Sequence, residues 1–368
     1  MLLFGIFPPI TTPFYSDGQV YYKKLESNVE RYSRTPVAGI VIQGSTGEAI
    51  LLSDQERRDV LKNAIAAAAP NKVMIAGCGI ESAIETLRLA EYAATLGYDA
   101  AMVRTPHYYK KQMHPANMLA FYRMVADQSQ LPIIIYNFPQ ATGYDIPAEV
   151  VIELASHPNI VAIKESSGNL DKVKAMVDGT RHVKRTATVT DTFDAVTPRM
   201  IKAAEAESET ESRELVSVAV LAGSGAAETS VGDKQLSKPS SSAVTVVGKL
   251  KTRQKEVGFQ VMVGAAHQLE PSLALGAVGA ILAFACPAPT ACYEIYAALK
   301  EGDVPLARDK QDRVKVAAQR VVSELGVPGV KYAMDLNGYY GGVSRLPFLP
   351  LSGDQKNEIE KLMTNIRS

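Results

Sequence analysis

A lysine closes the run Ile160-Val161-Ala162-Ile163-Lys164, and Glu165-Ser166-Ser167-Gly168 follow at once. Four apolar residues, three of them β-branched, read as a strand buried on both faces. A lysine ending such a strand sits where core meets solvent. Burial disfavours an ammonium ion, and a neutral amine attacks a ketone to form a Schiff base. The same position suits a lysine that lays its stem on the core and its head in water. This segment alone leaves both roles open.

Partners for such a lysine stand behind other apolar runs. Gly44-Ser45-Thr46-Gly47-Glu48 follows the second run. Its glycines let backbone approach a ligand, and its N–H and O–H groups could hold a carboxylate; an ordinary Gly-rich turn has the same composition. Thr105-Pro106-His107-Tyr108-Tyr109 follows the fourth run, and Tyr136-Asn137-Phe138-Pro139 ends the fifth. A tyrosine there is either an amphipathic rim residue or, beside an imine, a proton shuttle. Gly264-Ala265-Ala266 after the seventh run leaves space. A hydroxyl loop, a tyrosine and a lysine are the parts needed to bind a 2-oxo acid and carry it through an enamine.

These residues become neighbours only if the strand ends converge. Strands are expected at 4–10, 39–43, 73–77, 100–104, 133–136, 160–164, 259–263 and 279–284, with helices between them. Ser53 with Glu56 and Ser82 with Glu85 read as capping boxes, Gly97 as a helix-ending glycine, and Pro147 as a first-turn residue. Alternating strands and helices argue for parallel β/α units. A doubly wound sheet would normally carry a Gly-rich phosphate turn after its first strand, where this chain has Pro8-Pro9-Ile10-Thr11-Thr12-Pro13. The expected fold is therefore an α/β TIM (β/α)8 barrel over 1–300, with a C-terminal helical region over 301–368 (helices at about 304–324, 328–337 and 354–366). An insertion at about 185–256, before strand 7, is rich in Ser, Ala, Thr and Glu and holds β-prone pieces at 186–190, 215–221 and 243–247. Following a helix and preceding a strand, it is expected at the N-terminal face of the barrel, away from the chemistry.

Composition narrows the function. Lys+Arg and Asp+Glu are both 39, which gives no support for nucleic-acid binding and is compatible with self-association. Three cysteines without a pairing pattern fit a reduced, cytoplasmic protein. The five histidines show no metal-binding spacing, so no metal is expected. The short apolar start runs into prolines and is not read as a signal peptide, and no run is long enough to span a membrane.

The order and spacing of these motifs resemble the dihydrodipicolinate synthase/N-acetylneuraminate lyase family of class I aldolases. The match spans nearly the whole chain outside the insertion: Gly5-Ile6-Phe7-Pro8-Pro9 with Thr12-Pro13-Phe14, the Gly44–Glu48 loop, Tyr136-Asn137-x-Pro139, Ile163-Lys164-Glu165-Ser166, and Gly338-Tyr339-Tyr340-Gly341-Gly342 with Arg345-x-Pro347. The resemblance implies Lys164 as the imine-forming residue and Tyr136 as the general acid/base. It implies Ser45 and Thr46 as carboxylate clamp and relay, with Gly44 in the same loop. It makes Tyr108, or its neighbour Tyr109, the tyrosine reaching a partner's site, and Ser166, Gly264 and Ile281 pocket positions. It implies no cofactor, a small 2-oxo acid and an aldehyde as partners, and a homotetramer or homodimer. In the family's synthases an arginine after Tyr-Asn-x-Pro holds the aldehyde substrate's carboxylate; here that place is Ala141, and His107 stands where those synthases carry tyrosine. The doubled tyrosine and the Gly338–Gly342 tail are closer to the 4-hydroxy-2-oxoglutarate aldolase branch. The expectation is reversible aldol cleavage of a 4-hydroxy-2-oxo acid, with the synthase as runner-up and a sugar-acid lyase or dehydratase third. A metabolite-binding barrel without turnover, or a purely structural lysine, would be set apart by mutating Lys164 and Tyr136.

Overall fold

The computed structural model describes residues 1–208, 244–247 and 250–366. Eight parallel strands form one sheet: β1 (Gly5–Phe7), β2 (Gly39–Ile42), β3 (Val73–Gly77), β4 (Ala100–Arg104), β5 (Ile133–Asn137), β6 (Ile160–Glu165), β10 (Gln260–Val263) and β11 (Gly279–Ile281). Their order is β1-β11-β10-β6-β5-β4-β3-β2. The ends meet: Pro9 bridges Val41 in parallel, and Ala38 N–H donates to Ile6 O at 3.0 Å. The result is a TIM barrel.

The continuous apolar runs have a direct cause. Along β2, Ile40 and Ile42 join the core shared with the helices, and Val41 between them is equally buried toward the barrel axis. A strand with both faces covered has no place for alternating polar residues. β1 is shorter than expected because Pro8 and Pro9 offer no N–H to a ladder. β11 stops at Ile281, and Ala283–Ala285 turns as a 3₁₀ helix instead.

Helices α1 (Tyr22–Ser33), α2 (Asp54–Ala67), α3 (Ala83–Leu96), α4 (Pro115–Gln128), the single turn α5 (Pro139–Thr142), α6 (Ala148–Ala155) and α7 (Leu170–Gly179) alternate with the strands through β6. In α1 the buried positions are Leu25, Asn28, Val29 and Tyr32, the spacing of one helical face. Ser53 forms the full capping box with Glu56, with hydrogen bonds of 3.2 and 2.9 Å. At Ser82 only half of a box forms, because the Glu85 carboxylate turns to Arg88. Gly97 ends α3 at φ +90°, and Pro147 is the N-cap of α6 rather than a first-turn residue.

The chain divides into two compact units. One comprises Met1–Leu2 and Arg185–Val257, the other Leu3–Lys184 and Gly258–Ser368. Within the first, β7 (Arg185–Thr190), β8 (Thr245–Val247) and β9 (Leu250–Val257) make an antiparallel sheet in the order β7-β9-β8, and residues 198–208 are helical (α8). The expected β piece at 215–221 lies outside the described residues. β9, Leu-Lys-Thr-Arg-Gln-Lys-Glu-Val, was not expected, since its charged residues hide the strand pattern.

After α9 (Leu269–Ala274) and α10 (Pro289–Lys300) come α11 (Val304–Ala318), a π-turn at Gln319–Glu324, α12 (Gly326–Leu336) and α13 (Gly353–Met363). These are the expected C-terminal helices, and they lie in the same compact unit as the barrel. Lys331 of α12 is 1% exposed and pairs with Glu48 Oε1 at 2.5 Å. It also donates to the carbonyls of Thr12 (2.9 Å) and Val343 (2.7 Å). Arg345 N–H holds the other Glu48 oxygen at 2.8 Å. Burial lowers the Lys331 pKa, and the Glu48 charge opposes that shift. Among the described residues no helix is long and apolar enough to cross a membrane.

Glu48→Gln removes the ion-pair partner of buried Lys331 and leaves only the Asp335 charge in its field. It is expected to cost about 3–5 kcal/mol in urea unfolding at neutral pH. Lys331 would then hold its proton less tightly folded than unfolded. The deficit should therefore be full at neutral pH and shrink as pH rises through the folded-state pKa of Lys331 toward the ordinary lysine range. A deficit that is absent, or that grows with pH, would contradict this coupling.

Candidate active site

The strand C-termini surround a cavity of about 670 Å³. Lys164, near the end of β6, is 4% exposed, and its Nζ lies 4.0 Å from the centroid of the Tyr136 ring. Tyr136 and Lys164 are register partners, so neighbouring strands present them to the same side. Ser45 Oγ is 3.3 Å from the Tyr136 hydroxyl, close enough for a proton to pass between them. Gly44 and Thr46 line the same cavity. The Ser45–Thr46 turn is fixed from behind: Gly47 O accepts from Thr12 Oγ1 at 2.6 Å, and Glu48, at φ +54°, turns its carboxylate to Lys331.

Ser166 and Gly264 are also in the wall. Ser166 Oγ is buried and has no hydrogen-bond partner among the described residues. A Cβ on Gly264 would fall 1.9 Å from that oxygen, so only glycine lets β10 pass so close to it. Ile281 departs from expectation. It is fully buried and, through the pairings of Lys164 with Met262 and Met262 with Gly279, lies on the barrel-interior side, yet it does not line the cavity. β11 has ended by the height of the cavity, and Ala283 takes that place.

Tyr108 and Tyr109 are not in the wall either; they are 74% and 61% exposed, edge to face at 5.1 Å. Their loop is held by Glu81, which accepts the N–H groups of His107 (2.9 Å) and Tyr108 (3.1 Å) and pairs with Arg104 at 3.0 Å. Against its partial burial, these bonds keep the Glu81 carboxyl below its usual range. Burial and the Arg104 charge lower the His107 pKa.

Sequence reasoning missed several residues. Below Lys164, Asn137 Nδ2 donates to both Glu165 oxygens (3.1 and 2.9 Å) and to Asp145 (2.7 Å), while Lys172 pairs with Glu165 at 3.3 Å. Glu165 also accepts the Ser167 N–H at 2.6 Å. This network pins the ends of β5 and β6. Arg57 and Arg104 line the cavity, as does His107. Arg104 carried a usable signal: it closes an apolar strand just as Lys164 does. Among the described residues no group of three His, Cys, Asp or Glu is arranged to hold a metal ion. The thiols of Cys78, Cys286 and Cys292 are buried, and burial pushes all three up, to about 12 for Cys78 and Cys292.

The chain resembles known proteins in sequence and in fold. A family model described as the dihydrodipicolinate synthetase family matches residues 2–207 and 238–366. The chain belongs to that family. A 4-hydroxy-tetrahydrodipicolinate synthase of Methanothrix thermoacetophila is 27% identical over 98% of this chain and 96% of its own length. One of Xanthomonas campestris pv. campestris is 40% identical, but over 177 residues, 48% of this chain and 58% of that relative. Among solved structures, a dihydrodipicolinate synthase of Bacillus anthracis shares the fold at TM-score 0.75 and 20% identity, covering 100% of both chains. An E. coli K12 prophage protein of the family, solved with pyruvate, does so at TM-score 0.72 and 24% identity, covering 100% of this chain and 99% of that one. Members of the dihydrodipicolinate synthetase family are lyases built on a lysine Schiff base, and this chain is an enzyme of that class.

Gly264→Ala should cost about 1–3 kcal/mol by overpacking against Ser166, read by thermal or chemical unfolding. Adding Ser166→Gly removes the colliding oxygen and should recover most of the loss. Equal stability of wild type and Gly264→Ala would contradict the close approach.

Proposed function

We propose that this protein catalyses reversible aldol cleavage of a 4-hydroxy-2-oxo acid through an imine on Lys164. The supporting observation is the buried Lys164 Nζ set 4.0 Å over the Tyr136 ring, with Ser45 Oγ 3.3 Å from the Tyr136 hydroxyl. Free Lys164 amine attacks the C2 carbonyl, and the oxygen leaves as water as the C=N bond forms. The Tyr136 hydroxyl supplies and removes the protons of that step, passing them through Ser45. The protonated imine draws electrons from the C3–C4 bond. As that bond breaks, the 4-hydroxyl proton passes to the Tyr136 oxygen, which gave its own proton to the departing water, and the C4 fragment leaves as an aldehyde, with an enamine on Lys164. Proton return to C3 and hydrolysis of the imine release pyruvate and the free lysine. Ser45 and Thr46, with backbone N–H groups of the Gly44 loop, hold the 2-oxo acid carboxylate, and the Ser166 hydroxyl supplies a further donor.

Tyr108, 74% exposed on a loop braced by Glu81, is suited to reach a second copy of the chain, and we propose a homodimer or homotetramer in which it completes a partner's proton relay. A second reading, 4-hydroxy-tetrahydrodipicolinate synthase, draws on the names of the relatives. Ala141 in the cavity wall counts against it, because it offers no charge to an aldehyde carboxylate.

Borohydride reduction in the presence of pyruvate, read by peptide mass spectrometry, should leave a pyruvate-derived adduct on Lys164. Lys164→Ala should abolish both trapping and turnover. Tyr136→Phe should lower kcat by about 10²–10⁴-fold while pyruvate still binds. Folded protein that forms no adduct would sink the imine reading. Turnover of pyruvate plus aspartate semialdehyde, with none of 4-hydroxy-2-oxo acids, would favour the synthase.

A further inference from the structure

The hydroxyl turn is built from two overlapping β-turns. Gly47 N–H donates to Gly44 O at 3.0 Å, and Glu48 N–H donates to Ser45 O at 3.1 Å. Ser45 and Thr46 are the central residues of the first, so the aim of both hydroxyls follows from the backbone of this turn.

The residues at its two ends share a rare backbone. Among the described residues, the non-glycine positions with positive φ are Gln43 (+63°), Glu48 (+54°) and Phe193 (+68°). The first two flank the turn. A residue with a Cβ is disfavoured in the left-handed region and persists there when its surroundings hold it. At Glu48 the holding group is the buried pair with Lys331. At Gln43 it is α2. Gln43 directly follows β2 and is 4% exposed. Its Nε2 donates to the carbonyl of Arg57. The guanidinium of the same residue reaches the other end of the turn, where Arg57 Nε donates to Ala49 O at 3.2 Å. One residue of α2 thus ties the residue before the turn to the residue after it. The backbone of Gln43 has no room to retreat, because a Cβ on Gly77 of β3 would fall 2.1 Å from Gln43 O.

We propose that Gln43 and Arg57 are positioning residues, a clip that holds the Ser45–Thr46 turn in its strained shape and so sets how tightly it grips the carboxylate of the 2-oxo acid. This rests on the imine reading above, in which that turn binds the carboxylate. The two ends of the turn differ in what their loss does. Removing the Glu48 carboxylate takes the ion-pair partner from buried Lys331, so a variant there mixes stability with activity. Gln43 is neutral, and its Oε1 is buried with no hydrogen-bond partner among the described residues. Gln43→Gly loses one neutral hydrogen bond, while it removes an unbonded buried acceptor and places in the left-handed region the one residue that adopts it freely. The clip opens without a weaker fold.

The test measures the pyruvate concentration that half-saturates borohydride trapping on Lys164, together with the melting temperature of each variant. In Gln43→Gly the half-saturating concentration should rise by about tenfold or more. Its melting temperature should equal or exceed that of the wild type, and labelling at saturating pyruvate should be complete. Gln43→Asn keeps an amide and tolerates the left-handed backbone, but falls one carbon short of Arg57 O, so it should show the same rise. Arg57→Met should raise the concentration too. The double variant Gln43→Gly/Arg57→Met should add little to the larger single effect, because both substitutions open one clip. A lower melting temperature in Gln43→Gly, with half-saturation unchanged, would show a residue that only holds the fold and would overturn the clip. Unchanged half-saturation in folded Gln43→Gly and Gln43→Asn also overturns it, as does full additivity of the two substitutions. Wild-type protein that forms no pyruvate adduct overturns the imine reading and this inference with it.

Discussion

Parallel pairing of β4, β5 and β6 in one fixed register is the constraint on which the site depends. A shift of one residue would turn Lys164 from the barrel interior to the helix layer and leave Ile163 or Glu165 in its place. Two features hold the register where it matters. The β5–β6 ladder carries an irregularity at Ile133/Ile134, after which Tyr136 meets Lys164. At the strand ends, Asn137 from β5 binds both carboxylate oxygens of Glu165 from β6. Lys172 and the Ser167 N–H share the same carboxylate, so a side chain next to the lysine spends all its polar capacity on position. A buried network satisfied at every member is rigid, whereas one missing a member is costly. The Lys164 amine therefore stands on a stiff base.

The opposite wall is held by chain from far away. Glu48 closes the Ser45–Thr46 turn in a left-handed backbone conformation and meets Lys331 from α12. Arg345 adds its N–H to Glu48 and its guanidinium to Glu56, and holds the Glu56 carboxyl down at about 2. The tail that carries Arg345 is itself fixed to α1: Tyr339 stacks on Tyr32 at 4.4 Å, and Asn28 bonds the Tyr340 backbone through both ends of its amide. Gly341 allows this because a Cβ would fall 1.8 Å from Lys331 O. Paired buried charges add little net stability over apolar packing. Their effect here is specificity of position, as they couple the hydroxyl turn to helices about 280 residues later in the chain.

The barrel was legible because a strand covered on both faces must be apolar throughout, and eight such runs stood between helical patterns. The β3 and β4 bounds matched the expected 73–77 and 100–104. β9 was not legible, because Lys251, Arg253, Lys255 and Glu256 mask its few apolar residues. That Lys164, Tyr136, Ser45, Thr46, Gly44, Ser166 and Gly264 share one cavity wall was legible because each follows or ends a strand, and closure brings strand ends together. Ile281 failed because sequence does not show where a strand stops relative to the cavity floor. Arg57 was not singled out because its place in the wall depends on which turn of α2 faces the mouth, a matter of packing and not of pattern. The buried pair Glu48–Lys331 joins residues too distant in sequence for any spacing rule to connect.

The charges of the mouth show what the fold tolerates for chemistry. Arg57, Arg104 and Lys164 line one cavity, and the acidic residue that shares it, Glu48, is already paired with Lys331. Like charges brought together in a partly apolar space repel, and a folded protein carries that cost in its own stability. An apolar wall would be more stable and would bind nothing charged. The mouth keeps its cations as two separate groups. Lys164 stands over the Tyr136 ring, whose π face attracts a cation, while Arg104 is anchored by Glu81 on the far side of the tyrosine. Tyr136 therefore stands between Lys164 and Arg104 as well as reaching Ser45 with its hydroxyl.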